Sequence, residues 1–175
     1  LQPSKLAMRV RFPPPALVEV RRVRADEWRA LRDTRLRALA DAPDAFGTTH
    51  AEARAHPEQW WRDRAERASV GGEQAMFLAW DGDRAVGIAG TFRVESHYQV
   101  ISMWTAPEHR GRGIGRDLLA AAVAYAGAAE IRLSVSDGND AARRLYERTG
   151  FVATGFTEPL RSNSSLVIHE LRLAR

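Results

Sequence analysis

Cysteine is absent from the 175-residue chain. That excludes disulfides, thiolate catalysis and thiolate metal sites. Lysine is almost absent: Lys5 is the only one, so 25 of the 26 basic residues are arginine. No apolar run approaches the roughly 18 residues that span a bilayer. The first residues, LQPSKLAMRVRFPPPAL, lack both the apolar stretch and the small-residue cleavage site of a signal peptide. Residues 1–16, with Pro13-Pro14-Pro15, read as an extended leader outside the natural domain, Met8 being an alternative start, and residues 17–175 as a single domain. The five histidines, His50, His56, His97, His109 and His169, lack ligand spacing, and no metal is expected. A cytoplasmic location is the default for such a chain.

What is present is a globular composition, 45% hydrophobic and 27% charged, with a net charge of +4. The positive balance invites a nucleic-acid reading. The arginines, however, alternate with acids, as in Trp60-Trp61-Arg62-Asp63-Arg64-Ala65-Glu66-Arg67, which is the pattern of a solvated helix face. Neither a nucleic acid nor a membrane is expected as partner.

Periodicity divides the chain in two. Leu17 to Val23 alternates as a strand, and Asp26 is placed to cap a helix through Trp28, Leu31, Leu36 and Leu39. Ala42-Pro43-Asp44-Ala45-Phe46-Gly47 breaks it, and a second helix runs from Pro57 to about Ala68. Met76–Trp80 and Ala85–Val94 flank Asp81-Gly82-Asp83 as a hairpin, followed by a strand over Gln99–Thr105. Then come a helix over Gly113–Ala126, a short strand over Ile131–Val135, a helix over Asp140–Thr149 ended by Gly150, and strands over Phe151–Phe156 and Leu166–Leu173. The expectation is one mixed α/β sheet of six to seven strands, mostly antiparallel, flanked by about four helices.

The strongest local signal is Met103-Trp104-Thr105-Ala106-Pro107-Glu108-His109-Arg110-Gly111-Arg112-Gly113-Ile114-Gly115. A strand ends, a glycine-rich turn follows, and a helix begins at once. Backbone amides of such a turn can converge on phosphate oxygens, and the helix dipole adds to them. Arg110, Arg112 and Arg116 add positive charge. A P-loop would need GK[ST] after the turn, and a dinucleotide fingerprint a third glycine where Arg116 or Leu118 stands.

These residues resemble the GCN5-related N-acetyltransferase (GNAT) superfamily. Its acyl-CoA signature, [Q/R]-x-x-G-x-[G/A] after a strand, is matched by Arg110-x-x-Gly113-x-Gly115. Its downstream N-x-x-A-x-x-x-Y-x-x-x-G-F is matched from Asn139 through Ala142, Tyr146 and Gly150 to Phe151. The likeness is specific from Met103 to Phe156. It implies acetyl-CoA as cosubstrate and two parallel strands, Gln99–Thr105 and Ile131–Val135, that splay beside it. Met103, Trp104 and Thr105 would hold the pantetheine arm, and Arg110, Gly111, Arg112, Gly113, Ile114, Gly115 and Arg116 the diphosphate. Backbone N–H near Trp104 would polarise the thioester carbonyl. Tyr146 would donate a proton to the leaving thiolate, and Asn139 would contact the pantetheine arm as well as cap its helix.

The general base stays open. Family relatives that acetylate ribosomal-protein N-termini often carry Glu where Ser134 stands, which weighs against a peptide N-terminus as acceptor. Glu95, His97 and a water chain are the alternatives. For the acceptor, Phe46 is a candidate pocket wall and Asp44 a candidate attractor of its ammonium. Trp60 and Trp61 cannot both face inward, so one belongs to a pocket or a homodimer surface. The resulting expectation is acetyl transfer to a primary amine of a small molecule or peptide by direct attack in a ternary complex. A non-catalytic acyl-CoA-binding module is the alternative.

Overall fold

The computed structural model describes residues 17–174. The leader assigned to residues 1–16 lies outside the described residues. Seven strands form one sheet in the order β1-β2-β3-β4-β5-β7-β6. They are β1 Glu19–Arg22, β2 Gln74–Asp81, β3 Arg84–Val94, β4 His97–Thr105, β5 Glu130–Ser136, β6 Phe151–Leu160 and β7 Asn163–Leu173. Every neighbouring pair is antiparallel except β4 with β5.

Five α-helices accompany the sheet: α1 Trp28–Asp41, α2 His50–Ala55, α3 Glu58–Val70, α4 Ile114–Ala126 and α5 Asp140–Arg148. β2 is buried at consecutive positions from Ala75 to Ala79 and β3 from Ala85 to Thr91. Consecutive rather than alternating burial means that both sheet faces are covered. Helices α1 and α3 pack on each other and on β2 and β3, while α4 packs on β2, β3 and β4. Close approach of α4 is required at Gly87, where a Cβ would stand 2.9 Å from Leu118 Cδ1.

One expectation is corrected. Asp26 caps nothing: residues Ala25–Glu27 form a 3₁₀ turn before α1, and it is Glu27 that receives the Arg24 backbone N–H at 2.8 Å and the Arg21 guanidinium. The described residues hold five α-helices, in keeping with the expectation of about four, the short α2 standing before α3. The start of α2 is a reciprocal box in which the Glu52 N–H donates to Thr49 Oγ1 at 3.2 Å and the Thr49 N–H to Glu52 Oε2 at 2.8 Å. Of the tryptophan pair, Trp61 is buried, while Trp60 is half-buried and stacks on His56 with ring centroids 3.9 Å apart.

Candidate active site

The site begins where two strands stop pairing. β4 and β5 are in register at His97–Glu130, Tyr98–Ile131 and Gln99–Arg132, and no further. Beyond that point β5 keeps its other neighbour, β7, from Arg132 to Ser136. β4 keeps β3, but with a bulge: Ile88 faces Trp104 and Gly90 faces Ile101, so three steps on β4 oppose two on β3. Ser102 takes the extra residue at φ 61°, a left-handed value unusual for a non-glycine. The inner edges of both strands are thereby freed. Gln99 to Met103 and Leu133 to Ser136 line one cleft of about 750 Å³, an ordinary size for a small-ligand site. Consecutive residues of β4 reach it because the strand's edge, not its face, borders the gap.

At the C-terminal end of β4 the chain enters the glycine turn. Gly111 and Gly113 have φ of 74° and 82°, and a Cβ on either would meet no atom within 4 Å. Among the described residues no backbone carbonyl accepts from the amides of Gly111, Arg112 or Gly113. Those of Ile114, Gly115 and Arg116 open α4 and have no intrahelical acceptor to use. Six consecutive N–H groups at a positive helix end, beside open space that a side chain would fill, form a cradle for an oxyanion. Gly115 serves packing instead, since its Cβ would stand 3.3 Å from Leu145 Cδ2 on α5.

Helix α5 borders the cleft through Asn139 and Tyr146, and Ser136 lines it beside them. Asn139 caps the helix, its Oδ1 accepting from the Ala142 N–H at 3.4 Å. The Tyr146 ring is 5% exposed and packs against Phe151, 6.2 Å between centroids. Its hydroxyl makes no hydrogen bond within the described chain, and burial pushes its pKa above the ordinary phenol value.

The remaining sequence candidates divide. Phe46 and Met103 line the cleft, as does Ser134. Trp104 does not: it is buried, and its indole donates to Asp41 Oδ2 at 2.8 Å. Any role in the cleft falls to its backbone. Arg110 is turned inward, pairing with Asp41 and donating from Nε to the Thr105 carbonyl at 3.1 Å. Its guanidinium therefore anchors the turn to α1 while staying exposed, and Arg112 and Arg116 are the loop's other exposed cations. Asp44 accepts from Asn163 Nδ2 at 3.2 Å and lies outside the cleft lining. Glu95 sits at the tip of the β3–β4 hairpin with φ 50°, beside the end where β4 and β5 are still paired. Neither acidic candidate lines the cleft: Glu95 lies beyond the paired end of β4 and β5, and Asp44, next to the lining residues Ala45 and Phe46, is engaged by Asn163.

Asp41 ties the turn to the fold. The Trp104 indole, and secondarily the Arg110 guanidinium, hold its carboxyl below the usual carboxylate range. Asp41→Ala leaves the buried indole N–H without its acceptor and is expected to cost about 1–3 kcal/mol, measurable by thermal unfolding at pH 7. Because the folded-state pKa is depressed, this contribution is fully present above the ordinary carboxylate value of about 3.9 and is lost as pH falls through the lower folded value. The gap between parent and variant should therefore narrow in acid, leaving the part due to the unpartnered indole. A constant gap would mean that the carboxylate charge contributes nothing.

Four charged residues of the cleft were missed in the sequence. Arg35 on α1, Arg64 on α3, Glu158 on β6 and Arg161 just after β6 all line it. Arg64 lies in the stretch whose alternating charges read as a solvated helix face, Arg35 lies on the first helix outside the apolar positions the sequence names, and Glu158 and Arg161 lie beyond Phe156, where the sequence-based strand stops. The helical spacing of Arg35 and Arg64 with buried Leu31, Leu39, Trp61, Ala65 and Ala68 was the available signal.

A sheet split at its parallel pair, with an amide cradle at the open end and an unpartnered tyrosine hydroxyl beside the gap, has the shape to take a long phosphate-bearing ligand edge-on. The chain belongs to the acetyltransferase (GNAT) family, whose family model matches residues 27–151. It is 33% identical over 153 residues to a mycothiol acetyltransferase of Geodermatophilus obscurus, an alignment covering 82% of this chain and 46% of that protein. The chain spans about half the length, or less, of the first curated relatives it matches. Among solved structures it is similar to a GNAT-family acetyltransferase from Streptococcus pneumoniae, with TM-score 0.74, 16% identity and coverage of 89% of this chain and 98% of that one. It is also similar to yncA from Salmonella typhimurium, solved with its cofactor acetyl-CoA, with TM-score 0.73, 18% identity and coverage of 90% and 93%. Among the described residues no helix is long and apolar enough to cross a membrane. No three His, Asp or Glu side chains among them gather closely enough to hold a metal ion.

Proposed function

We propose that the protein transfers an acetyl group from acetyl-CoA to a primary amine of a small molecule or peptide, with both substrates bound at once. The observation that carries this reading is the parting of β4 from β5 after Gln99 and Arg132, which opens one cleft with Tyr146 on its wall. The residues fit the cosubstrate: the free amides from Gly111 to Arg116 suit its diphosphate, and the unpaired edges of Val100–Met103 and Leu133–Val135 suit an amide-bearing arm that needs backbone partners. Bound there, acetyl-CoA supplies an activated acyl carbonyl and a thiolate leaving group.

The chain's own groups then have distinct tasks. Backbone N–H in the bulged segment from Ser102 to Trp104 stabilises negative charge on the carbonyl oxygen. Tyr146 Oη holds a proton beside the leaving sulfur. Glu158, the one acidic side chain among the residues lining the cleft, takes the proton that the acceptor ammonium must lose. With no cysteine in the chain, direct attack is the economical route, and initial rates against both substrates should give intersecting reciprocal plots. Parallel plots would overturn the ternary complex. The reading places the protein in the cytoplasm, where its cosubstrate is supplied.

The non-catalytic alternative makes no use of an unpartnered Tyr146 hydroxyl, which is why the transferase reading is preferred. Glu158 carries its own expectation. Glu158→Gln should lower kcat/KM by about tenfold at pH 7, less than the usual general-base contribution because water reaches this exposed strand. The deficit should shrink as pH rises toward the acceptor's own pKa, since a free amine needs no base. A deficit independent of pH would reassign Glu158 to binding.

A further inference from the structure

The cleft holds two guanidinium groups that nothing neutralises. Among the described residues neither Arg35 nor Arg64 has a carboxylate within 4 Å, although most of the chain's other ion pairs involve arginine. Arg161, the third cation of the lining, is paired with Glu52 at 2.7 Å. The two unpaired arginines are held by rings instead: Arg35 lies over Phe46 at 4.5 Å and Arg64 over Trp60 at 5.2 Å. Arg64 Nη2 otherwise reaches only the Met76 sulfur, at 4.0 Å. Arg35 Nη1 is sealed from solvent and has no hydrogen-bond partner at all.

Burying a cation without a partner is costly, and buried polar groups are normally satisfied. The strain registers on the arginines themselves. Burial, and then the like charge of Arg64, brings the Arg35 pKa down to about 10. Burial also lowers Arg64, with Arg67 adding to it. Both groups stay charged at neutral pH. Two desolvated guanidinium groups, fixed by aromatic stacking and facing one cavity, form a receptor for a planar anion, which their forks can meet in bidentate fashion.

That anion is not the diphosphate of acetyl-CoA. The cradle from Gly111 to Arg116 contributes nothing to the cleft lining, whereas the two arginines enter it from α1 and α3, beside Phe46 and Thr48. Glu158 lies in the same lining and pairs with neither arginine, leaving one negative group available for an ammonium. Resting on the transferase reading above, we propose that the acceptor is a zwitterionic amine of the free amino-acid class, its carboxylate held by Arg35 and Arg64. The cleft of about 750 Å³ suits a small molecule of that kind beside the thioester arm.

The test compares matched probes. The free L-amino acids are assayed as acetyl acceptors against their decarboxylated amines, against their peptide amides, and against O-phosphoethanolamine with ethanolamine as its partner. The same compounds are screened for thermal stabilisation without acetyl-CoA. At least one amino acid should exceed its decarboxylated amine by tenfold or more in kcat/KM, and should alone raise the melting temperature. In Arg35→Met and Arg64→Met, which keep the apolar stems, that ratio should collapse toward one and the thermal shift should vanish. Folding is checked by the acetyl-CoA-induced shift, which depends on the distant cradle and should persist. Amines or peptide amides equal to or better than the free acids would overturn the proposal, and so would variants that keep the acid preference. A preference for O-phosphoethanolamine alone would overturn the carboxylate in favour of a phosphate. If acetyl-CoA neither binds nor is consumed while an amino acid still stabilises the protein through Arg35, the transferase reading fails and the anion site stands.

Discussion

Gly113→Glu should abolish acetyl-CoA binding while leaving the protein folded. Gly113 is the residue before α4, with φ 82° and ψ 0°. A non-glycine residue there incurs on the order of 1–2 kcal/mol for the left-handed backbone. No other cost is foreseen, because a Cβ at this position meets no atom within 4 Å. The carboxylate, however, would project into the space beside the free amides of Ile114, Gly115 and Arg116, accept from them, and so fill the cradle with the chain's own anion. A diphosphate would lose several charge-assisted hydrogen bonds and meet a like charge. At a ligand concentration of 100 Kd a binder stabilises the folded state by about 2.7 kcal/mol, which is roughly 5–10 °C in a domain of this size. The parent protein should show a shift of that order with acetyl-CoA and the variant none. Gly113→Ala separates the two effects, since it carries the backbone penalty without the charge and should keep part of the shift. An undiminished shift in a folded Gly113→Glu protein would place the diphosphate elsewhere.

The cradle was legible in the sequence because its requirements are local. Glycine at two left-handed positions, a strand before and a helix after are all written within Met103 to Gly115. The Asn139 cap, Tyr146 and the Gly150 stop were legible for the same reason. The cleft's charged lining was not, because it is assembled from α1, α3 and β6, segments whose arginines and acids alternate in a pattern shared by any solvated surface. Arg35 and Arg64 differ from Arg32 and Arg62 in pointing toward Phe46 and Met76 and in lacking the carboxylate partners that Asp33 and Glu58 provide, which no spacing rule reports. Asp41 and Arg110 illustrate the converse. Arg110 sits at the signature position of the loop, yet its side chain serves the link between Thr105 and α1, a contact across 69 residues that only the tertiary structure brings together. The short helix α2 is signalled in the sequence by Thr49-x-x-Glu52, but at six residues, between the Ala42–Gly47 break and Pro57, it is too short to show a helical period of its own.

Tyr146→Phe should lower kcat by about 10- to 100-fold and leave acetyl-CoA binding intact. The substitution removes only a hydroxyl that has no partner within the described chain, so packing against Phe151 survives and stability should stay constant or rise slightly. The magnitude follows from acidity. An ordinary phenol, near pKa 10, is already a weaker acid than an ordinary thiol, near 8.5. Burial of Tyr146 raises the phenol further and widens that gap. Complete proton transfer to a departing thiolate is therefore uphill. The hydroxyl acts chiefly by a hydrogen bond that strengthens as charge gathers on sulfur, which puts its effect at or below the low end of the 10²- to 10⁴-fold range for general acids. An interaction made only in the transition state lowers kcat and kcat/KM together. The raised pKa also fixes a sign: Tyr146 remains protonated across the assayable range, so the parent enzyme should show no loss of rate up to about pH 10 that the Phe variant lacks. A falling alkaline limb present only in the parent would show that the hydroxyl ionises more easily than its burial implies. A variant with the parent's kcat, under conditions where chemistry limits turnover, would reassign Tyr146 to packing on the Gly150–Phe151 turn.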